Sequence, residues 1–185
     1  MNYDELKAII ENAGVHPQLG PTGAEYGIEQ NPHELATFLT SIPPDIHTVL
    51  EIGTGYRAAL ANFMASVLGW QVTTVDRQIP SALILPGVTF ILADSAEVLE
   101  HVGSAYDLVI VDASHDYDSA TRDYETFGPL GRVVMLHDIA GLRDCEGVAR
   151  LWRELSRTKS NALKKGYYEV IDSGPMRAGI GWIVK

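Results

Sequence analysis

Residues 48–76 read TVLEIGTGYRAALANFMASVLGWQVTTVD. An apolar, β-branched run ends in the tight turn Gly53-Thr54-Gly55, a helical pattern follows, and a second apolar run ends in Asp76. The order strand, turn, helix, strand is that of a parallel βαβ unit, whose strands are apolar on both faces because helices cover both sides of the sheet. The turn brings main-chain amides and a helix start to the end of the first strand, where a ligand can approach the backbone.

The alternation continues along the chain. VTFILAD (88–94), YDLVIVDA (106–113) and GRVVMLHDI (131–139) read as further strands. Helices are expected at 56–68, 95–102 and 117–127, and in a later segment where Val148, Leu151, Trp152 and Leu155 share one face while Arg150, Arg153 and Arg157 lie elsewhere. YYEVID (167–172) and GIGWIVK (179–185) are joined without a helix and so run antiparallel, which makes one late strand reverse direction. Ahead of the sheet, a helix at 2–13 and a loop rich in Pro and Gly precede NPHELATFLTSI, where Asn31 suits the N-cap, Pro32 the first helical position and Glu34 a bond back to the cap. PPD at 43–45 ends that helix. The expectation is one domain over 1–185: a helical cap (1–44) and a doubly wound α/β core (45–185).

Bulk properties remove several classes. Hydrophobic residues make up 46% and charged residues 21%, a globular mixture. Fourteen Lys plus Arg against 24 Asp plus Glu leave a formal charge of -10, which repels a phosphate backbone, so nucleic acid is not an expected partner. The N-terminus lacks a signal-peptide pattern and no window approaches the roughly 20 apolar residues of a membrane span, so no membrane partner and a cytoplasmic location are expected. Cys145 is the single cysteine, which rules out an intramolecular disulfide; it is expected to fill a helix face.

The strand ends carry the chemistry. Gly53-Gly55-Ala58, with Asp76 about 20 residues on, fits a dinucleotide-binding pattern. Glu51 separates the readings: a carboxylate beside a pyrophosphate repels it, whereas one beside an ammonium or sulfonium attracts it, and S-adenosylmethionine carries both cations. The bland alternative pairs Glu51 with a nearby Lys or Arg. Asp76 can accept both ribose hydroxyls. Asp94 can accept from an adenine amino group or can cap a helix with Ser95 behind it. Gly53, Thr54, Gly55, Arg77 and Ser95 belong to the same candidate cofactor-binding set.

On these residues the chain, over about 45–185, resembles the class I S-adenosylmethionine-dependent methyltransferases: EIGTG after the first strand, VD after the second, AD after the third, and a reversed last strand. The resemblance implies a Rossmann-like seven-stranded sheet of order 3-2-1-4-5-7-6 with the last strand antiparallel. One departure is Arg57, where the family's glycine motif often has a third glycine.

If the fourth and fifth strands are neighbours, Asp112 and Asp138 end about 5 Å apart and can share a hard divalent cation such as Mg²⁺; otherwise they cap helices or meet an arginine such as Arg143. His137 can be a third ligand, can hydrogen-bond to a ligand, or can point away. VDASHDYDSATRDYETFGPLGRVVMLHDI and GVARLWREL are similar to the metal-dependent small-molecule O-methyltransferases, of the catechol type and of the sugar-modifying type of macrolide pathways, in the family called methyltransferase 24. That similarity implies a metal on Asp112, His137 and Asp138, Mg²⁺ first and Mn²⁺ second, with Asp112 also beside the cofactor and His137 departing from the acidic pattern. It also implies a general base three residues after Asp112, at His115. Asp116 and Asp118 suit a helix start. Glu25, Tyr26, Glu29 and Gln30 are placed to fold over the ligand's amino-acid end or the acceptor.

The function expected is metal-assisted O-methylation, by S-adenosylmethionine, of a small hydroxylated acceptor, a sugar or an aromatic diol; homo-oligomer formation stays open. The rivals are a NAD-dependent oxidoreductase, on the strength of Gly53, Gly55 and Asp76, and a non-catalytic cofactor-binding or assembly subunit, on the strength of the short chain.

Overall fold

The computed structural model describes residues 1–12, 28, 30–141, 144–158, 166–173 and 178–185. Strands β1 (Thr48–Ile52), β2 (Gln71–Asp76), β3 (Val88–Leu92), β4 (Tyr106–Val111), β5 (Gly131–His137), β6 (Gly166–Val170) and β7 (Ile180–Val184) form one sheet in the order β3-β2-β1-β4-β5-β7-β6. β1 to β5 are parallel, and β7 runs antiparallel to both β5 and β6. Order and reversal are as the resemblance implied.

Each central strand divides its side chains between two cores. Leu108 and Ile110 of β4 face α1 (Tyr3–Glu11), α2 (Pro32–Ser41) and α3 (Ala59–Ser66); Val109 and Val111 face α4 (Tyr117–Phe127) and α5 (Glu146–Thr158). That two-sided burial is why the strands lack a polar alternation. Phe38 and Phe63 on one side and Phe127 on the other are fully buried, and truncating such a residue to Ala costs about 3–5 kcal/mol.

Three expectations are corrected. The helix after the glycine turn begins at Ala59 and ends at Ser66, because Ala58 sits in the left-handed region (φ 51) and the chain must leave it before helical bonding starts. The expected helix at 95–102 is two single 3₁₀ turns, Ser95–Glu97 and Leu99–His101, the first capped by Asp94, which accepts from Ala96 N at 2.9 Å. Glu34 does not return to its N-cap. Asn31 alone caps α2, accepting from His33 N and Glu34 N, while the fully buried Glu34 carboxylate accepts from Asp172 N (2.8 Å) and Gly179 N (2.9 Å). Two backbone amides, that of Gly179 buried, are a stronger demand on a carboxylate than a cap that Asn31 already serves.

α2 thus ties the N-terminal helices to the far end of the sheet. Asn31 Nδ2 also donates to Asp172 Oδ2 at 3.0 Å, and Tyr3 of α1 hydrogen-bonds the His33 ring at 2.6 Å. Of the N-terminal loop, Gln30 falls within the described residues; Glu25, Tyr26 and Glu29 lie outside them, as does Arg143.

Candidate functional site

The carboxyl ends of β1, β2, β4 and β5 converge on one edge of the sheet, where an open α/β fold binds its ligands. At β1 the backbone turns through Gly53 (φ 101), where a Cβ would overlap the Asp112 carbonyl and the Ala113 Cα. Only glycine lets the end of β1 lie against the end of β4 in this way. Gly55 (φ 68) faces open space.

Glu51 and Thr74 are register partners on β1 and β2. Thr74 Oγ1 lies 2.5 Å from Glu51 Oε2 and 2.7 Å from Thr54 Oγ1, so three buried side chains form one hydrogen-bonded chain under the turn. Burial pushes the Glu51 carboxyl up to about 8; the Thr74 hydroxyl partly opposes this, and the charges of Asp112 and Asp76 add to it. At about 8 the Glu51 carboxyl is mostly protonated at neutral pH. No Lys or Arg partners it among the described residues.

Asp76 is locked to the turn. Its Oδ2 accepts from Thr54 N and Gly55 N, both at 3.1 Å, and its Oδ1 from Gln78 N at 2.9 Å. About one of its four acceptor positions is left for a ribose hydroxyl. Arg77 is exposed, 3.9 Å from the Asp94 carboxylate. Ser95 Oγ donates to Asp123 Oδ1 at 2.8 Å, which anchors the segment after β3 to α4.

At the ends of β4 and β5 the expected residues meet. His137 Nδ1 lies 3.1 Å from Asp112 Oδ1 and 3.3 Å from Asp138 Oδ2; His115 Nε2 lies 3.0 Å from Asp138 Oδ2. Asp138 reaches both imidazoles from left-handed backbone (φ 63), a conformation uncommon outside glycine and tolerated best by Asp and Asn. Gln30 Nε2 donates to Asp112 Oδ2 at 2.7 Å, which puts Gln30 at this edge. As expected, Asp116 caps α4 by accepting from Ser119 N, with Asp118 in the first turn.

Burial alone pushes the His137 imidazole towards its neutral form, but the charges and hydrogen bonds of Asp112 and Asp138 outweigh it and hold the ring well above its ordinary value. Asp138 is the counterpart: burial opposes its charge, yet the two imidazoles hold its carboxyl well below the usual range. The hydrogen bond to Asp138 also raises His115. The two carboxylates and the two imidazoles at this edge thus stabilise each other's charged forms.

Asp112, His137 and Asp138 offer ligand atoms within 4.8 Å of one another, which fits a divalent cation. Two carboxylates and one nitrogen suit Mn²⁺ at least as well as Mg²⁺, which prefers oxygen alone. His137 Nε2 is buried without a hydrogen-bond partner among the described residues, so this ring's Nδ1 is the atom directed at the acids.

Some of this escaped sequence reading. Thr74 was legible in principle, since aligning the ends of β1 and β2 pairs it with Glu51. Asp123 lacks such a signal, for its role needs the packing of α4. Cys145 does not fill a helix face; it precedes α5, buried, with its carbonyl accepting from Ala149 N. Burial, then the Asp138 carboxylate, pushes its thiol up to about 11.

Comparison with known proteins bears on the fold and the family. A search of curated proteins gives no match. Among solved structures, a Staphylococcus aureus protein assigned as a caffeoyl-CoA O-methyltransferase is 16% identical with a TM-score of 0.56, over 80% of this chain and 79% of that one. The human methyltransferase 10 domain containing protein is 13% identical with a TM-score of 0.61, over 99% and 97%. MycE, a methyltransferase of the mycinamycin biosynthetic pathway solved with Mg and SAH, is 16% identical with a TM-score of 0.51, over 76% of this chain and 46% of that one. At such identities these structures show a shared fold. Residues 27–139 match a family described as a methyltransferase domain, Methyltransf_24, and cover both the glycine turn and the Asp112–His115–His137–Asp138 group. The chain belongs to this methyltransferase family and is an S-adenosylmethionine-dependent methyltransferase.

Proposed function

We propose that the enzyme O-methylates a small hydroxylated acceptor, a sugar or an aromatic diol, with the help of a divalent cation held by Asp112, His137 and Asp138. The observation that carries this reading is the 3.0 Å contact of His115 Nε2 with Asp138 beside the other two acid-edge ligands. When bound, S-adenosylmethionine supplies the methyl group and the cation supplies a lower pKa and a fixed position for the acceptor oxygen.

The chain's own residues do the rest. Asp138 accepts from His115 Nε2–H and so fixes the tautomer that leaves Nδ1 bare. The His115 side chain is 43% exposed, open to an acceptor, and its Nδ1 takes the hydroxyl proton as the oxygen attacks. Asp138 then faces an imidazolium, which its charge stabilises. Glu51, buried under the turn, ionises as the positive charge of the cofactor comes up beside it, and its proton passes to solvent. Asp76, held by the turn amides, offers its remaining acceptor position to the ribose.

MycE, a neighbour in fold, was solved with Mg and SAH, which supports both the cofactor and the cation. A homo-oligomer and a cytoplasmic setting accord with this reading. Release of S-adenosylhomocysteine with a panel of diols and sugars tests it: equimolar methyl ether and S-adenosylhomocysteine are expected. Cofactor binding without release would leave the non-catalytic subunit, and reduction of NAD instead would restore the oxidoreductase.

A further inference from the structure

A second group of ligand atoms shares Asp138. His115, Asp138 and Cys145 present a nitrogen, a carboxylate oxygen and a sulfur within 4.8 Å of one another. What assembles them is the first turn of α5. At Gly147 a side chain would overlap Tyr117 N and the His115 carbonyl, so glycine lets α5 lie directly on the backbone of 115–117. Cys145, just ahead of α5, is thereby brought against the His115 ring and the Asp138 carboxylate while staying buried.

We propose that His115, Asp138 and Cys145 form a second cation site, selective for a thiophilic divalent metal such as Zn²⁺, whose occupancy switches the enzyme off. The donor set decides the selectivity. A thiolate with an imidazole and a carboxylate is a zinc-type set, and a soft sulfur ligand disfavours Mg²⁺, whereas Asp112, His137 and Asp138 contain no sulfur. As the metal–sulfur bond forms, the thiol proton passes to solvent. The inhibitory half rests on the role of His115 as base. A metal on Nε2 needs that nitrogen without its proton, so the neutral ring carries its proton on Nδ1 and can no longer accept one from the acceptor hydroxyl. Asp138 Oδ2 contacts both imidazoles, so metal drawn to Cys145 also draws Asp138 away from the first group.

Cobalt tests the site without turnover. The full chain, stripped with chelator, is titrated with Co²⁺ and followed by the near-ultraviolet charge-transfer absorption that only a thiolate ligand gives. The band is expected in the native chain, is abolished by Zn²⁺ and is absent in Cys145→Ser. His115→Gln, changed at a half-exposed side chain, should weaken Co²⁺ at this band at least about 10-fold, the loss seen even for residues that only support a ligand. Circular dichroism melts confirm that both variants fold. A native chain without the band, or Cys145→Ser retaining it, overturns the site. In parallel, Zn²⁺ should abolish methyl transfer in the native chain and leave Cys145→Ser active; a band with undiminished transfer overturns the switch. Because the band is read without cofactor or acceptor, failure of the methylation reading leaves it standing.

Discussion

His115 Nε2 and Asp138 Oδ2 stand 3.0 Å apart across the ends of two neighbouring strands, and Asp138 makes the contact from left-handed backbone. The geometry sets imidazole, carboxylate and strand ends in one place. His115→Ala should lower kcat by roughly 10²–10⁴, the usual worth of a positioned base, while S-adenosylmethionine affinity holds. Asp138→Asn keeps a residue type that tolerates the same backbone, so the fold should persist and kcat should fall. Calorimetric binding of the cofactor beside steady-state turnover separates the two effects.

Glu51 predicts a proton linked to cofactor binding. Its folded carboxyl lies at about 8, above its unfolded value, so the folded state keeps a proton that the unfolded chain loses. Its contribution to stability is intact below the unfolded value and is lost as pH rises towards 8. Glu51→Gln should therefore raise the melting temperature near pH 8 and flatten its fall between pH 5 and 8. Cofactor binding at pH 7 should release protons in the native protein and none in the variant, measured as the dependence of binding enthalpy on buffer ionisation.

The two turn glycines should respond differently. Gly53→Ala meets the Asp112 backbone and should unfold the protein or abolish cofactor binding. Gly55→Ala meets open space and pays mainly for its φ of 68, about 1–2 kcal/mol. Chemical denaturation of each, with cofactor titration of the folded one, checks the contrast.

Glu34 should matter to the fold and not to the chemistry. Glu34→Ala removes the carboxylate that accepts from Asp172 N and from the buried Gly179 N and should cost about 3 kcal/mol or more, at roughly 1.5–3 for each charged hydrogen bond. Glu34→Gln keeps one acceptor and should cost less. Urea unfolding gives the order.

These sites differ in how far the sequence exposed them. The parallel strands, the reversed β7 and the acids at strand ends were readable because apolar runs and turn chemistry are local, and strand ends share one edge whatever the loops do. Asp112, His137 and Asp138 met because β4 and β5 are neighbours. Glu34 misled, since a capping pattern is local while the amides of Asp172 and Gly179, far along the chain, bid for the same carboxylate. The helix expected at 95–102 failed because one capped turn and a buried Val98 suffice to return the chain to β4. Gln30 and Cys145 reach the site through packing that periodicity does not encode.

The most direct test of metal-assisted methyl transfer is S-adenosylhomocysteine release with an aromatic diol or sugar acceptor, in chelator and after Mn²⁺ or Mg²⁺ is restored. Turnover should vanish in chelator while cofactor binding persists, return with metal, and fail to return in Asp112→Asn. Equal turnover in chelator and in metal would contradict the account.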